Sequence, residues 1–236
     1  PSLFIEPFAG GGIVSLTMAH ENLADHIIMV EIDEEIAAVW KTIFYGDVTW
    51  LVDSIVSFNM TIENVHTILA LDYSTNEEKA FKTIIKNRTF HGGILAKGSG
   101  LIKYGEQGKG LHSRWYPQTL AKRINHIQKL KGKITFIQGN GLEIMKEHNA
   151  VFFIDPPYTA GGKKAGNRLY THHAVDHELL FLYCNNIERF LMTYDISSEI
   201  ENLAGKYFFD IKEIPMKNTH NAAMKEYLIS KDLKWL

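Results

Sequence analysis

Asp155-Pro156-Pro157-Tyr158 sets a carboxylate, a rigid backbone and a phenol ring within one short turn. It follows the apolar run Val151-Phe152-Phe153-Ile154, which reads as a buried parallel strand. Two prolines cannot continue a strand ladder, so the chain leaves the sheet at Asp155. In open α/β sheets the carboxyl ends of the strands are where ligands bind. The prolines hold the Pro156 carbonyl and Tyr158 beside the carboxylate. Such a set suits a planar heterocycle that carries an exocyclic amine. Taken alone, the four residues fit an ordinary strand exit with an exposed turn equally well.

A second constellation opens the chain. Ser2-Leu3-Phe4-Ile5 reads as a strand, Glu6-Pro7-Phe8-Ala9-Gly10-Gly11-Gly12 breaks it, and residues 13–20 have helical character. Strand, glycine turn and helix bring backbone close to a ligand with a helix N-terminus behind it. A second strand, 26–32, ends in Glu31-Ile32-Asp33. Glu31 stands where an acid accepts hydrogen bonds from ribose hydroxyls; the alternative is a surface acid favoured by a helix dipole. Asp33 suits the N-cap of the helix that follows, 34–44. The dinucleotide pattern G-x-G-x-x-G is not met, because Ser15 takes the place of its third glycine. That argues against a nicotinamide oxidoreductase.

These elements make a first βαβ unit, after which the order changes. Residues 47–132 read as helical or irregular, without a strong strand. Ser74-Thr75-Asn76-Glu77 is a capping-box signature for a helix running to about residue 86. Residues 87–110, rich in glycine, read as a long functional loop, and Pro117 opens a helix to about residue 131. Strands resume at 134–138 and 151–154. A helix at 176–188, a strand at 190–194, a short helix at 197–204 and a closing β-pair at 207–214 and 226–230 follow. The expected organisation is one α/β sheet, from 1–46 and 133–236, split by an insert at 47–132.

The net charge of −2 conceals an asymmetry. Residues 79–133 hold thirteen Lys and Arg against one acid, Glu106, so that segment carries +12 and the remainder −14. A solvated surface mixes signs, whereas this distribution fits an insert that binds a polyanion. No apolar run approaches the roughly 20 residues of a membrane span, and no signal-peptide pattern opens the chain. The single Cys184 excludes an intramolecular disulfide and fits a reducing cytosol. The eleven histidines lack a zinc-ligand spacing, with His172, His173 and His177 the nearest cluster, so no metal is expected.

With these pieces in chain order, the sequence resembles the Dam-like DNA adenine methyltransferases along nearly its whole length. The glycine loop resembles their cofactor loop, Glu31-Ile32-Asp33 their ribose site, and Gln138-Gly139-Asn140-Gly141 their third cofactor motif. Asn87-Arg88-Thr89-Phe90 with Gly92-Gly93, and Ser113-Arg114-Trp115-Tyr116-Pro117, resemble parts of their target-recognition region. Tyr170, Asp176-His177 and Lys225-Glu226 fit later segments. The resemblance implies a Rossmann-like class I methyltransferase sheet with a mainly helical target-recognition insert. It implies S-adenosylmethionine as cofactor, held by Pro7, Phe8, Ala9, Gly10, Gly12, Glu31, Ile32, Asn140 and Asp155. The implied reaction is methylation of the exocyclic amine of an adenine extruded from duplex DNA, with Asp155, Pro156 and Tyr158 catalytic. Arg88, Lys97, Arg114, Lys122 and Arg123 are the candidate DNA contacts, and Lys163 and Lys164 are placed to touch an extruded strand. Trp115 and Tyr116 read equally as stacking plates or local core. The implied setting is a bacterial, archaeal or phage-encoded enzyme in the cytoplasm, with three roles left open: guarding against a cognate restriction endonuclease, marking replication or serving a phage. Two departures stand out. Asn140 replaces the usual aspartate, and of the family's segment before the glycine loop three readings stand: it is missing, the neighbouring polypeptide is absent, or another element substitutes. An RNA adenine methyltransferase and a non-catalytic DNA-binding remnant are the alternatives.

Overall fold

The computed structural model of the protein describes residues 1–95, 99–105, 108–146, 149–157, 175–217 and 223–236. In chain order its elements begin with β1 (Leu3–Glu6), α1 (Ile13–His20), β2 (His26–Glu31), α2 (Glu34–Tyr45), α3 (Val48–Ser57), α4 (Ile62–Ala70), α5 (Asn76–Thr89) and α6 (Pro117–Gln128). They continue with β3 (Ile134–Gln138), α7 (Gly141–Ile144), β4 (Val151–Ile154), α8 (His177–Asn186), β5 (Arg189–Asp195), α9 (Ser198–Lys206), β6 (Asp210–Lys217) and β7 (Ala223–Ser230).

The strands form one sheet in the order β3-β2-β1-β4-β5-β7-β6. All neighbours run parallel except β7, which is antiparallel to both β5 and β6. This is a Rossmann-like α/β sheet closed by an antiparallel hairpin. The direction of winding reverses between β1 and β4, which opens a crevice at their carboxyl ends. β4 alternates between fully and partly buried residues. Phe152 and Ile154 enter the core with Ile5, Met192 and Tyr194, against Leu180 and Phe181 of α8 and Ile200 of α9. Cys184 lies in this core, where burial pushes its thiol well above the usual range.

The chain divides into two compact units. One holds Pro1–Ile32 and the described residues from Lys133 onward; the other is Asp33–Gly132. The second unit is helical. Trp40 and Phe44 of α2 stack at 5.6 Å, and Phe58 meets both Phe81 and Trp115 edge-on. Lys86 of α5 pairs with Glu35 of α2 at 2.6 Å. This packing of α2 on α5 gathers α2 into the helical unit, so that compact unit starts at Asp33, ahead of the change in element order at 47.

Sequence expectations shift at α5 and in the closing hairpin, whose strands lie at Asp210–Lys217 and Ala223–Ser230 rather than 207–214 and 226–230. The capping box closes one residue later, on Thr75 and Glu78, because Glu77 instead accepts from the Asp47 amide. α5 also extends through Thr89, since Ile85 and Thr89 are both buried on its inner face. Arg88 therefore sits on a helix, one turn before the glycine-rich segment. Among the described residues, no helix is long and apolar enough to cross a membrane.

Candidate active site

The glycine loop begins where β1 ends. Glu6, the last residue of that strand, is only 3% exposed, and its Oε2 accepts from Ser15 N at 2.9 Å. The Glu6 carboxyl thus caps α1 from inside the sheet. Burial pushes it up to about 7; hydrogen bonding to Ser15 opposes that rise and the Asp155 charge adds to it. Gly10 and Gly12 take φ of +47° and +63°, the left-handed region that glycine enters without a Cβ penalty. Gly12 is the N-cap of α1 and has no side chain with which to cap it, so the Glu6 carboxyl satisfies a helix amide in its place.

Glu31 ends β2, and its Oε2 accepts from Gly10 N at 2.9 Å. Its own carbonyl accepts from Gly139 N at 3.0 Å. Gly141, next in that turn, leaves no room for a side chain: a Cβ there would lie 1.9 Å from the Pro7 carbonyl oxygen. Pro7, Gly10, Glu31 and the 139–141 turn are therefore joined in one ring of contacts. Asn140 is exposed at this ring and its Oδ1 accepts from Leu142 N at 3.0 Å, capping α7. An amide oxygen has a second lone pair, so this bond leaves Asn140 able to accept from a ligand. Ala9 and Pro7 are buried, and Phe8 packs partly against the core. Ile32 and Ile137 end adjacent strands with apolar surface exposed, at 41% and 36%.

Asp155 follows β4 directly, at the crevice, with an exposed side chain. Thr193 Oγ1 donates to its Oδ1 at 2.8 Å. Pro156 behind it is buried. Asp33, by contrast, is spent on structure, accepting from Glu35 N and Ile36 N as the N-cap of α2.

The charge pattern of this crevice has a chemical meaning. A dinucleotide site offers loop amides and a helix N-terminus to phosphate. Here two of those amides are taken by carboxylates, Glu6 on Ser15 N and Glu31 on Gly10 N. Glu31 and Asp155 present carboxylates at the carboxyl edge of the sheet, with Glu6 buried behind them. The donor set repels phosphate and fits a cofactor that is cationic and carries a ribose. S-adenosylmethionine, with a sulfonium, an ammonium and a ribose, meets that test.

In the helical unit Arg88, Arg114 and Arg123 form a like-charged group. Half-burial, then the charges of Arg114 and Arg123, pull the Arg88 guanidinium below its ordinary value. Arg114 Nη1 donates to the Phe90 carbonyl at 3.0 Å, and Gly93 gives its guanidinium room, since a Cβ there would lie 2.7 Å from Nη2. Lys122 and Arg123 are exposed on α6, Trp115 is core at 8% exposure, and Tyr116 is exposed. Tyr158, Lys97, Lys163, Lys164, Tyr170, His172 and His173 lie outside the described residues.

Sequence reasoning named the loop but missed the role of Glu6, and it missed Thr193 and Ile137. Glu6 left a trace, being an acid closing an apolar strand just before proline. Thr193 left none, because only the register of β4 on β5 brings it opposite Asp155.

Residues 2–217 match the family described as D12 class N6 adenine-specific DNA methyltransferase. Comparison with curated proteins gives no match. Among solved structures, the chain is similar to an uncharacterized protein from Listeria monocytogenes serotype 4b, at 9% identity and a TM-score of 0.43, covering 99% of this chain. It spans 63% of that protein's length. It is also similar to the rRNA methyltransferase aviRa from Streptomyces viridochromogenes, at 9% identity and a TM-score of 0.37, covering 98% of this chain and 76% of that one. At such distances neither likeness bears on the chemistry of the site.

Proposed function

The chain belongs to the family of D12 class N6 adenine-specific DNA methyltransferases, and from that premise we propose that it transfers a methyl from S-adenosylmethionine to the exocyclic amine of an adenine in duplex DNA. The single observation that supports this most is the position of Asp155, at the switch point of the sheet beside an acid-lined glycine loop.

Bound S-adenosylmethionine would supply an electrophilic methyl on a positively charged sulfur. Glu31 would accept from its ribose hydroxyls while keeping its bond to Gly10 N. Ile32 and Ile137 would flank the cofactor's adenine, with Asn140 accepting from its amine. The amine of the target base is a poor nucleophile, because its lone pair is delocalised into the ring. Asp155 and the Pro156 carbonyl would accept its two N–H bonds, draw the nitrogen toward tetrahedral geometry and aim the lone pair at the methyl. As the N–C bond formed, the C–S bond would break to leave a neutral thioether, and the amine's surplus proton would pass to solvent. Positioning and fixed charge carry such catalysis. The target base must leave the duplex stack to reach this crevice, and Tyr158 would stack on it. Arg88, Lys97, Arg114, Lys122 and Arg123 would supply the DNA contacts, divided between phosphates and base edges.

The test is to express the protein in a host without adenine methylation and map methylated adenines across its genome. In parallel, purified protein is assayed with labelled cofactor on matched DNA and RNA duplexes. Methylation confined to adenines in one DNA sequence context is expected. Transfer to RNA alone, or no transfer despite cofactor binding, would overturn the proposal.

A further inference from the structure

We propose that Thr193 is a positioning residue that fixes the orientation of the Asp155 carboxylate for the reaction proposed above, on which this inference rests. The last ladder pair of β4 and β5 is Ile154 with Met192, so one step further sets Asp155 directly opposite Thr193. Opposed residues of neighbouring strands project to the same face. The Thr193 hydroxyl reaches Oδ1 of Asp155 at 2.8 Å as a donor.

The two residues differ in how firmly they are held. Asp155 is the first residue beyond its strand and its side chain is exposed. The torsion that turns a carboxylate is broad, so its oxygens are poorly fixed by rotamer preference. Thr193 lies inside β5, paired with Leu228 of β7 on its other side and flanked in sequence by the fully buried Met192 and Tyr194. Its β-branched side chain has few χ1 choices. Rigidity in the sheet is thus passed through one hydroxyl to the group that receives the amine. An acceptor that must meet an N–H along a defined direction gains from this, whereas an acid that merely supplied charge would not.

Thr193→Val keeps the shape of the side chain and removes the donor; Thr193→Ser keeps the donor. In single-turnover assays on duplex DNA, the valine variant should lose about tenfold in rate, as for one charge-assisted hydrogen bond. Its KM for cofactor and DNA and its melting temperature should stay at wild-type values, and the serine variant should recover most of the rate. A crystal structure of the valine variant should show the Asp155 carboxylate turned from its wild-type orientation. Wild-type rate in the valine variant, equal loss in both variants, or an unmoved carboxylate would overturn the inference. Should the wild-type protein transfer no methyl to DNA or RNA, the proposed function fails, and carboxylate orientation alone decides the role of Thr193.

Discussion

Glu31 and Gly10 are joined by a hydrogen bond of 2.9 Å from the glycine amide to the carboxylate. The second strand thereby holds the loop that leaves the first, and one side chain serves both loop geometry and the expected ribose contact. Glu31→Ala should weaken S-adenosylmethionine binding about tenfold or more, since a hydrogen bond to a charged group contributes about 1.5–3 kcal/mol. Glu31→Gln, which keeps one acceptor, should fall between. Calorimetric titration measures both, and unchanged affinity in the alanine variant would remove Glu31 from the cofactor site.

Asp155→Ala should fold and retain cofactor binding, with a modest loss of affinity, yet lose nearly all methyl transfer. Asp155→Asn should also be severely impaired, because its amide can present N–H groups to the N–H groups of the base. Turnover and cofactor titration on the same preparations separate chemistry from binding. Substantial turnover in both variants would contradict the assigned role.

Glu6 gives the fold a pH dependence of defined sign. Its folded-state value of about 7 lies above the ordinary 4.5, so between these limits the folded protein keeps a proton that the unfolded chain releases. Stability contributed by this group therefore falls as pH rises from about 4.5 to about 7. Integrated over that window the effect is up to about 3 kcal/mol. Glu6→Gln, which keeps an acceptor for Ser15 N, should flatten the curve. Urea unfolding of both proteins at pH 5 and pH 8 tests this; parallel curves would show that Glu6 does not titrate there.

The arginine group should trade stability for affinity. Arg123→Ala removes a like charge from the surroundings of Arg88, so the free protein should melt higher at low salt, with the gain fading as salt screens the pair. DNA binding should weaken at the same time, and its salt slope should flatten by about one if Arg123 touches a phosphate. Melting curves and binding isotherms over a salt series read the two effects independently. A lower melting temperature together with unaltered DNA affinity would assign Arg123 to the fold instead.

Much of the sheet was legible in the sequence because buried parallel strands are short apolar runs with abrupt exits, as Val151 to Ile154 before the two prolines. The register was not legible, since it depends on strands far apart in sequence. Thr193 beside Asp155 and Gly141 against Pro7 both arise from it. The end of α5 is hidden for a related reason: the glycines after residue 91 suggest a boundary at about 86, whereas burial of Thr89 carries the helix forward. Glu6 was read as part of a loop because an acid ending a strand looks exposed until the helix amide that it caps is known.

The helical unit enters the chain between two neighbouring strands of one sheet, and this bears on how the protein folds. Ile27 of β2 pairs with Ile134 of β3, and everything from Asp33 to Gly132 must be made before that ladder can begin. Loop-closure entropy rises only slowly with length, so the thermodynamic cost is modest, but pairings of such separation are slow to form. A helical unit that condenses first draws its own ends together and shortens the search. The turn that carries Asn140 follows β3, so during synthesis it emerges only after the whole inserted unit has been made.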